Sequence, residues 1–276
     1  MVESLISISE VSDTAIWMAA YRAEESLRPD ALFTDPIAEK LAGELRAAVL
    51  SSKVAVPGSR DGWPPVVRTA LIDSLITRSL TEGCDRVLNL AAGWDTRPYR
   101  LDLPPALSWF EVDLPKIIDA KNRVLADEVP RCRVTRGSVD LTDPAASAAV
   151  VTAMADGARQ PLVITEGLLQ YLEPAEVRAL SEILLAAGIR WWITDLWTPS
   201  MLRLVNRTMG RHLGQARWAF GPARGVDFFQ GWTRVDGESI FSAAARWRRS
   251  PVWLRSAAVL PGALLRSGVV RLRVAE

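Results

Sequence analysis

The rhythm of apolar positions along this chain changes near Arg86. Upstream, the first eighty residues read as helical. Ser12 and Asp13 are placed to cap a segment that runs to about Leu27 and is stopped by Arg28-Pro29-Asp30. Asp35 caps a second helix with Pro36 at its first position, where a missing amide proton costs nothing. The Ser-, Gly- and Pro-rich stretch SSKVAVPGSRDGWPP reads as a loop. Val66 to Leu80 reads as a third helix, ended by Glu82-Gly83.

Downstream, short apolar runs alternate with helical segments. Val87 to Leu90 predicts a buried strand, followed by Ser108 to Val112, Arg133 to Val139, Leu162 to Thr165 and Trp191 to Leu196. Helix starts stand at Asp143-Pro144, Glu173-Pro174 and Thr198-Pro199. This alternation predicts an α/β fold with a parallel sheet covered on both faces. Residues 199 to 230 read as helix and loop, and Thr233 to Ser239 and Val269 to Val274 as two further strands. No repeat, low-complexity tract or linker divides the chain, so one domain is expected. Its parts are a helical N-terminal lid (1–80), a core (86–196), an insertion after the fifth strand (197–232) and the last strands (233–276).

Composition narrows the class. The 276 residues are 49% hydrophobic and 24% charged, which are globular proportions. A formal net charge of +1 removes the usual argument for a nucleic-acid partner. Only Lys40, Lys53, Lys116 and Lys121 are lysines among 33 basic residues, a skew that reads as compositional bias rather than phosphate-binding design. Cys84 and Cys132 make neither a disulfide framework nor, without other ligands, a zinc site. The single histidine, His212, excludes a His-based metal centre and argues against a Ser-His-Asp triad, so no metal is expected. The N-terminus carries Glu3, Glu10 and Asp13 without a basic start, so no signal peptide is expected. No apolar run reaches the roughly 18 residues of a membrane span. A cytoplasmic protein is the expectation.

Candidate chemistry begins in VLNLAAGWDTRPYRL, Val87 to Leu101. A buried strand ends there in Ala91, Ala92 and Gly93, and small residues let a ligand approach the backbone where open α/β sheets bind ligands. Asp95 and Thr96 then offer a helix cap. The G-x-G-x-x-G fingerprint is absent, which disfavours a nicotinamide oxidoreductase. Asp113 follows Gly93 by twenty residues and is placed to accept hydrogen bonds from the ribose of an adenosine cofactor; capping the helix near Pro115 is its bland alternative.

Five segments taken together resemble the leucine carboxyl methyltransferase family of class I S-adenosylmethionine (SAM) methyltransferases. They are DTAIWMAAYRAEESLRPDALFTDPIA, VVRTALID, VLNLAAGWDTRPYRL with FEVDLPK, GSVDL, and ITEGLLQYLEP. A sixth, DFFQGW, is similar to the tail of bacterial members that methylate carboxyls of polyketides and other small acids. The resemblance implies a Rossmann-like, mostly parallel sheet of seven strands. It implies that Arg68 holds the SAM carboxylate, as a fixed bidentate donor suits. By the same resemblance Ala91 and Gly93 lie in the turn beside the methionine part, Asp113 binds the ribose, and Asp140 and Leu141 hold the adenine. Glu166 ends the fourth strand beside the cofactor, and Tyr171 borders the substrate. The family's glycine is replaced by Ala91, and its smaller residue by Trp94.

Each residue also has a structural reading. Arg68 suits a helix surface, Glu166 a helix cap, Tyr171 an ordinary buried tyrosine, and His212 a solvated or core position. Trp191 and Trp192 face opposite sides of a strand as packing. Seven arginines from Arg246 to Arg273 read as a solvated helix face and strand edge, with recognition of an acidic substrate as the alternative.

The expected activity is SAM-dependent O-methyl transfer that yields S-adenosylhomocysteine (SAH). Alignment matters more than proton chemistry in such a displacement. A carboxylate acceptor is already ionised at neutral pH and needs no general base. A small-molecule acid or phenol is the expected partner. Met201, Leu204, Met209, Trp218, Phe220, Phe228 and Phe229 in the insertion suit an apolar or aromatic acid, or the packing of a second small core. A SAM-fold protein that binds without transfer, acting as a cyclase or binding module, and a nicotinamide oxidoreductase are the competing classes. The oligomeric state stays open.

Overall fold

The computed structural model describes residues 13–42, 62–213, 217–251 and 266–275. Ser12 and most of the Ser/Gly/Pro-rich stretch lie outside them. Two helices, α1 (Asp13–Ser26) and α2 (Pro36–Ala42), precede the long α3 (Trp63–Thr81). Asp35 caps α2 as expected, its Oδ1 accepting the Ala38 N–H at 2.9 Å. Helix α3 starts three residues before the expected Val66, because Pro64 and Pro65 fit a first helical turn that needs no amide protons. Gly62 permits this entry. Its φ is +65°, and a Cβ there would lie 1.9 Å from the Tyr21 ring of α1.

Alternation then sets in. Strands β1 (Arg86–Leu90), β2 (Ser108–Asp113), β3 (Arg133–Ser138), β4 (Pro161–Thr165) and β5 (Trp191–Leu196) are joined through a helical turn α4 (Arg97–Arg100) and helices α5 (Pro115–Val124), α6 (Pro144–Ala155) and α7 (Pro174–Ala186). Helix α8 (Pro199–Leu213), β6 (Trp232–Ser239), α9 (Ile240–Arg246) and β7 (Gly268–Val274) follow. The three Pro-initiated starts hold. Asp143 caps α6, Glu173 and Glu176 form a capping box on α7, and Thr198 Oγ1 accepts the Met201 N–H of α8.

The seven strands form one sheet in the order β3-β2-β1-β4-β5-β7-β6. The first five pair in parallel, and β7 runs antiparallel to β5 and to β6. Strand order reverses between β1 and β4, so their carboxyl ends flank the crevice where doubly wound sheets bind ligands.

Two cores cover the faces. One joins α1, α3, α9 and Trp191; the other joins α6, α7 and Trp192. The adjacent tryptophans thus divide between faces, as strand alternation requires. The reading of the C-terminal arginines as solvated needs correction at two positions. Arg249 is buried against Glu25 (2.7 Å) and Asp30 (3.0 Å), and Arg271 against Glu82 (2.9 Å). Those acids lie far away in sequence, so local charge counting misses them. Arg246 keeps the expected exposed character in its pair with Glu238.

Candidate active site

The strand ends gather acids and arginines. β1 ends in a turn where Ala91 takes a left-handed φ of +56° and Gly93 one of +44°. The Gly93 N–H donates to Asp113 Oδ2 at 2.7 Å, tying the end of β1 to that of β2. Asp113 Oδ1 accepts the Leu114 N–H, also at 2.7 Å. The carboxylate therefore braces two loops and does not cap α5, whose N-cap Leu114 makes no side-chain bond. Each oxygen keeps acceptor capacity for a further donor. Burial pushes the Asp113 carboxyl up, against the two N–H bonds that lower it.

On the other side of β1 the polar groups satisfy one another. Glu166, just past β4, accepts from Arg68 Nε at 3.0 Å and from Arg97 Nη1 at 2.7 Å. Arg68 Nη1 also reaches Asp195 of β5 at 3.2 Å, and Asp195 Oδ1 accepts the Gly167 N–H at 2.7 Å. Arg97 binds Asp73 of α3 at 2.6 Å and Asp95 at 2.9 Å. Asp73 takes two bonds from Arg100, and Asp35 joins Arg22 (2.9 Å) to Thr96 Oγ1 (2.6 Å). Arg22 Nη2 closes the chain on the Trp94 carbonyl at 2.6 Å. Thr96 thus points into this network, and Asp95 Oδ1 takes the Arg97 N–H expected of a cap.

Burial opposes the charges of Asp35, Arg68, Asp95, Arg97, Arg100 and Glu166, and the pairing outweighs it. Asp195 and Glu166 hold the Arg68 guanidinium up, and Arg97 and Arg68 hold the Glu166 carboxyl down. Asp95 is held far below the usual carboxylate range, with Arg97 the largest favourable contribution. The connected cluster contains Arg22, Arg68, Arg97 and Arg100 against Asp35, Asp73, Asp95, Glu166 and Asp195, one negative charge in excess.

A family model, described as leucine carboxyl methyltransferase, matches residues 15–184. The chain belongs to the leucine carboxyl methyltransferase family. A Saccharopolyspora erythraea protein named "Putative S-adenosyl-L-methionine-dependent methyltransferase" is 38% identical over 64% of this chain and 63% of its own length. A Frankia alni protein of the same type of name is 37% identical over 67% and 69%. The chain thus spans a little under or over two thirds of these relatives. Among solved structures, one titled a "putative methyltransferase" from Thermobifida fusca superposes with a TM-score of 0.58 at 18% identity, covering 85% of this chain and 89% of that one. A DUF574-family protein from Streptomyces avermitilis gives 0.53 at 14%, covering 93% and 97%. The fold is the class I, Rossmann-like methyltransferase fold, mostly parallel with its antiparallel strand at β7, and the family is SAM-dependent.

Arg68, Ala91, Gly93, Asp113 and Glu166, expected to hold the cofactor, stand at the strand ends on both sides of the β1–β4 crevice. Tyr171 lies half-buried in a short helical turn after β4. Asp140 and Leu141 follow β3. Asp140 is exposed, its Oδ1 accepting both the N–H (2.9 Å) and the hydroxyl (2.7 Å) of Thr142, while the Leu141 carbonyl accepts from Ser147. The side chain of His212 lies outside the described residues, as does that of Met209.

This donor set fits SAM. Arg68 Nη2 carries no hydrogen bond among the described residues, Asp113 retains acceptor capacity, and an anionic cluster suits a cationic methyl donor. No group of acids, histidines and cysteines suited to a metal occurs among the described residues. No described helix is long and apolar enough to cross a membrane.

Sequence reasoning missed Asp195, Asp73 and the joining role of Arg97. Asp195 had a signal, since it stands one residue before the end of WWITDL, much as Asp113 ends its own strand. Asp73 closes the segment VVRTALID that carries part of the family resemblance, and as an acid on an apolar helix it could have been singled out with Arg68. The expected insertion residues divide. Phe220 and Phe229 are buried against Trp192 on the α7 side, with half-buried Phe228 beside them, which makes them core. Leu204 and Trp218 stay half-buried on the Arg68 side.

Proposed function

We propose that this protein transfers the methyl group of SAM to an oxygen of a small-molecule acceptor, a carboxylate of a secondary-metabolite acid, and releases SAH. The observation that carries the reading is the placement, on the two sides of one crevice, of Arg68 with an Nη2 uncommitted among the described residues and Asp113 with lone pairs uncommitted among them. In this reading Arg68 Nη2 receives the methionine carboxylate, and Ala91 and Gly93 admit the chain beside their backbone. Asp113 accepts the ribose hydroxyls. Asp140 holds the adenine through its side chain, and Leu141 through its backbone. Glu166 keeps Arg68 and Arg97 in place beside the methionine part, and Tyr171 borders the acceptor.

SAM supplies an electrophilic methyl carbon on sulfur, and the C–S electron pair leaves with sulfur as the acceptor oxygen forms the new C–O bond. The chain's residues align and exclude water; alignment alone supplies on the order of 7 kcal/mol in favourable systems. A carboxylate acceptor suits a crevice whose ionisable groups are already committed to ion pairs or backbone amides. Cys84 is no candidate base, because burial pushes its thiol up to about 12, and Cys132 is pushed up to about 11. A cytoplasmic location belongs to the same proposal.

Calorimetric titration with SAM, SAH and NADH tests it. Micromolar binding of the first two and none of NADH is expected, followed by methyl-ester formation from carboxylic acids. Folded protein that binds neither SAM nor SAH would overturn the reading. Binding without SAH formation from any acid would favour the binding-module class.

A further inference from the structure

The geometry points to a planar aromatic body in the acceptor, recognised by a two-tryptophan wall, Trp197 and Trp218, beside the Arg68 cluster. This inference rests on the methyltransferase reading and specifies its substrate class.

Four observations build the wall. First, Trp197 follows β5 directly and its Nε1 donates to Asp195 Oδ2 at 2.8 Å, the oxygen that Arg68 Nη1 also contacts at 3.2 Å. One carboxylate therefore sets both the guanidinium and the indole. Second, the Trp218 ring lies against Trp197 with centroids 5.0 Å apart and planes tilted by 45°. Third, the Trp218 backbone is clamped. Asn206 of α8 donates from Nδ2 to its carbonyl at 2.7 Å and accepts its N–H on Oδ1 at 3.0 Å, as a strand neighbour does. Fourth, the next two residues are tied down, because the Ala219 and Phe220 N–H groups both donate to the Gln170 carbonyl, at 2.7 and 3.2 Å. Gln170 precedes Tyr171, so the strap crosses beside the residue expected to border the acceptor.

Packing alone does not require this arrangement. Of the other insertion aromatics, Phe229 is buried edge-on against Trp192 and Phe220 is buried against Phe229, with half-buried Phe228 packed on both, all in the core of the opposite face. Trp197 and Trp218 instead remain half-buried, with Tyr171 and Leu204 at the same rim. A pre-ordered, partly exposed pair of indoles offers a polarisable face at low entropy cost to a flat ring.

The test uses the full chain saturated with SAH, titrated calorimetrically with 2-naphthoate and with its fully saturated counterpart acid. Preference for naphthoate by about five- to tenfold is expected, the range an aromatic contact supports. Trp218→Leu keeps apolar bulk but removes the ring face, and should abolish that preference while leaving SAH affinity and the thermal unfolding midpoint near those of the wild type. Trp197→Phe keeps a ring but loses the bond to Asp195, and should reduce the preference in part; it serves if the first variant is unstable. Equal binding of both acids, binding of neither, or an unchanged preference in a folded Trp218→Leu protein would overturn the wall while SAH binding leaves the methyltransferase reading standing. Absence of SAH binding would overturn both.

Discussion

The two halves of the crevice solve the burial of charge differently. On the β4–β5 side, Arg68, Arg97, Glu166 and Asp195 neutralise one another through direct ion pairs, and the network runs on through Asp73, Arg100 and Asp35 to Arg22 of α1. On the β2–β3 side, among the described residues, half-buried Asp113 hydrogen-bonds only to two backbone amides, and Asp140, which is exposed, to one amide and one hydroxyl. A half-satisfied ionic network costs more than none, so the first half joins sheet and helices as firmly as it builds a site. The second half has acceptor capacity to spare, and its structural duty is confined to the two amides that Asp113 holds. Binding and folding should therefore come apart when each half is changed separately.

The sharpest break is Arg97→Ala. It takes one buried cation from Asp73, Asp95 and Glu166 together, leaving Asp73 to Arg100, Glu166 to Arg68 and Asp95 to Asn89 and a backbone amide, and a loss of about 3–5 kcal/mol in urea-denaturation stability is expected. A folded variant losing less than about 1 kcal/mol, the worth of one ordinary hydrogen bond, would remove the structural half of the contrast. Asp113→Ala should act the other way. SAH affinity should fall by roughly 1–3 kcal/mol, with a stability cost near 1 kcal/mol from the two released amides; unchanged affinity in folded protein would count against the ribose assignment.

Acidification should separate the halves without mutation. Burial holds the Asp113 carboxyl above 3.8, so its protonation, and the loss of SAH affinity, begins above that ordinary value. For folding, the Asp113 shift has the opposite sign, slightly favouring the native state at low pH. Glu166, Asp95 and Asp35 are held below their ordinary values of 4.5 and 3.8, chiefly through arginine neighbours that overcome burial. Their stabilisation is present above those values and is lost only as pH falls through the lower folded ones. SAH titrations and circular dichroism at stepwise lower pH should show binding fail first and folding later; the reverse order would refute the division. The smallest expected effect is at the turn both halves share. Ala91→Gly relieves a side chain at φ +56° and should stabilise by on the order of 0.5 kcal/mol, read as a small rise in Tm.

Legibility followed the range of the interactions. The parallel strands β1, β2, β4 and β5 are visible as short, largely apolar runs, β3 (RVTRGS) only by its place in the alternation, and the starts at Pro36, Pro144, Pro174 and Pro199 as local caps. Helix α3 was read as starting late because two prolines resemble a loop until they are seen in a first turn. Asp113 was recognised by spacing, yet its hold on the Gly93 amide was not, since that bond joins two strands. Asp73 went unnoticed because its partners, Arg97 and Arg100, lie more than a strand away. The buried Arg249 was misread for the same reason, its acids belonging to α1 and the turn after it.

The order of strands and helices, the small-residue turn and the acids that end β2 and β4 were thus determined along the chain, because hydrophobic period, proline and capping act within a few residues. The tertiary structure alone decided which acid meets which arginine, which aromatics become core and which stay half-buried beside Arg68. Those outcomes depend on the pairing of β1 with β4 and on where α1, α8 and the strap at Trp218 come to rest. Coulomb attraction and ring packing select partners by distance in space, and separation in sequence carries no record of that distance.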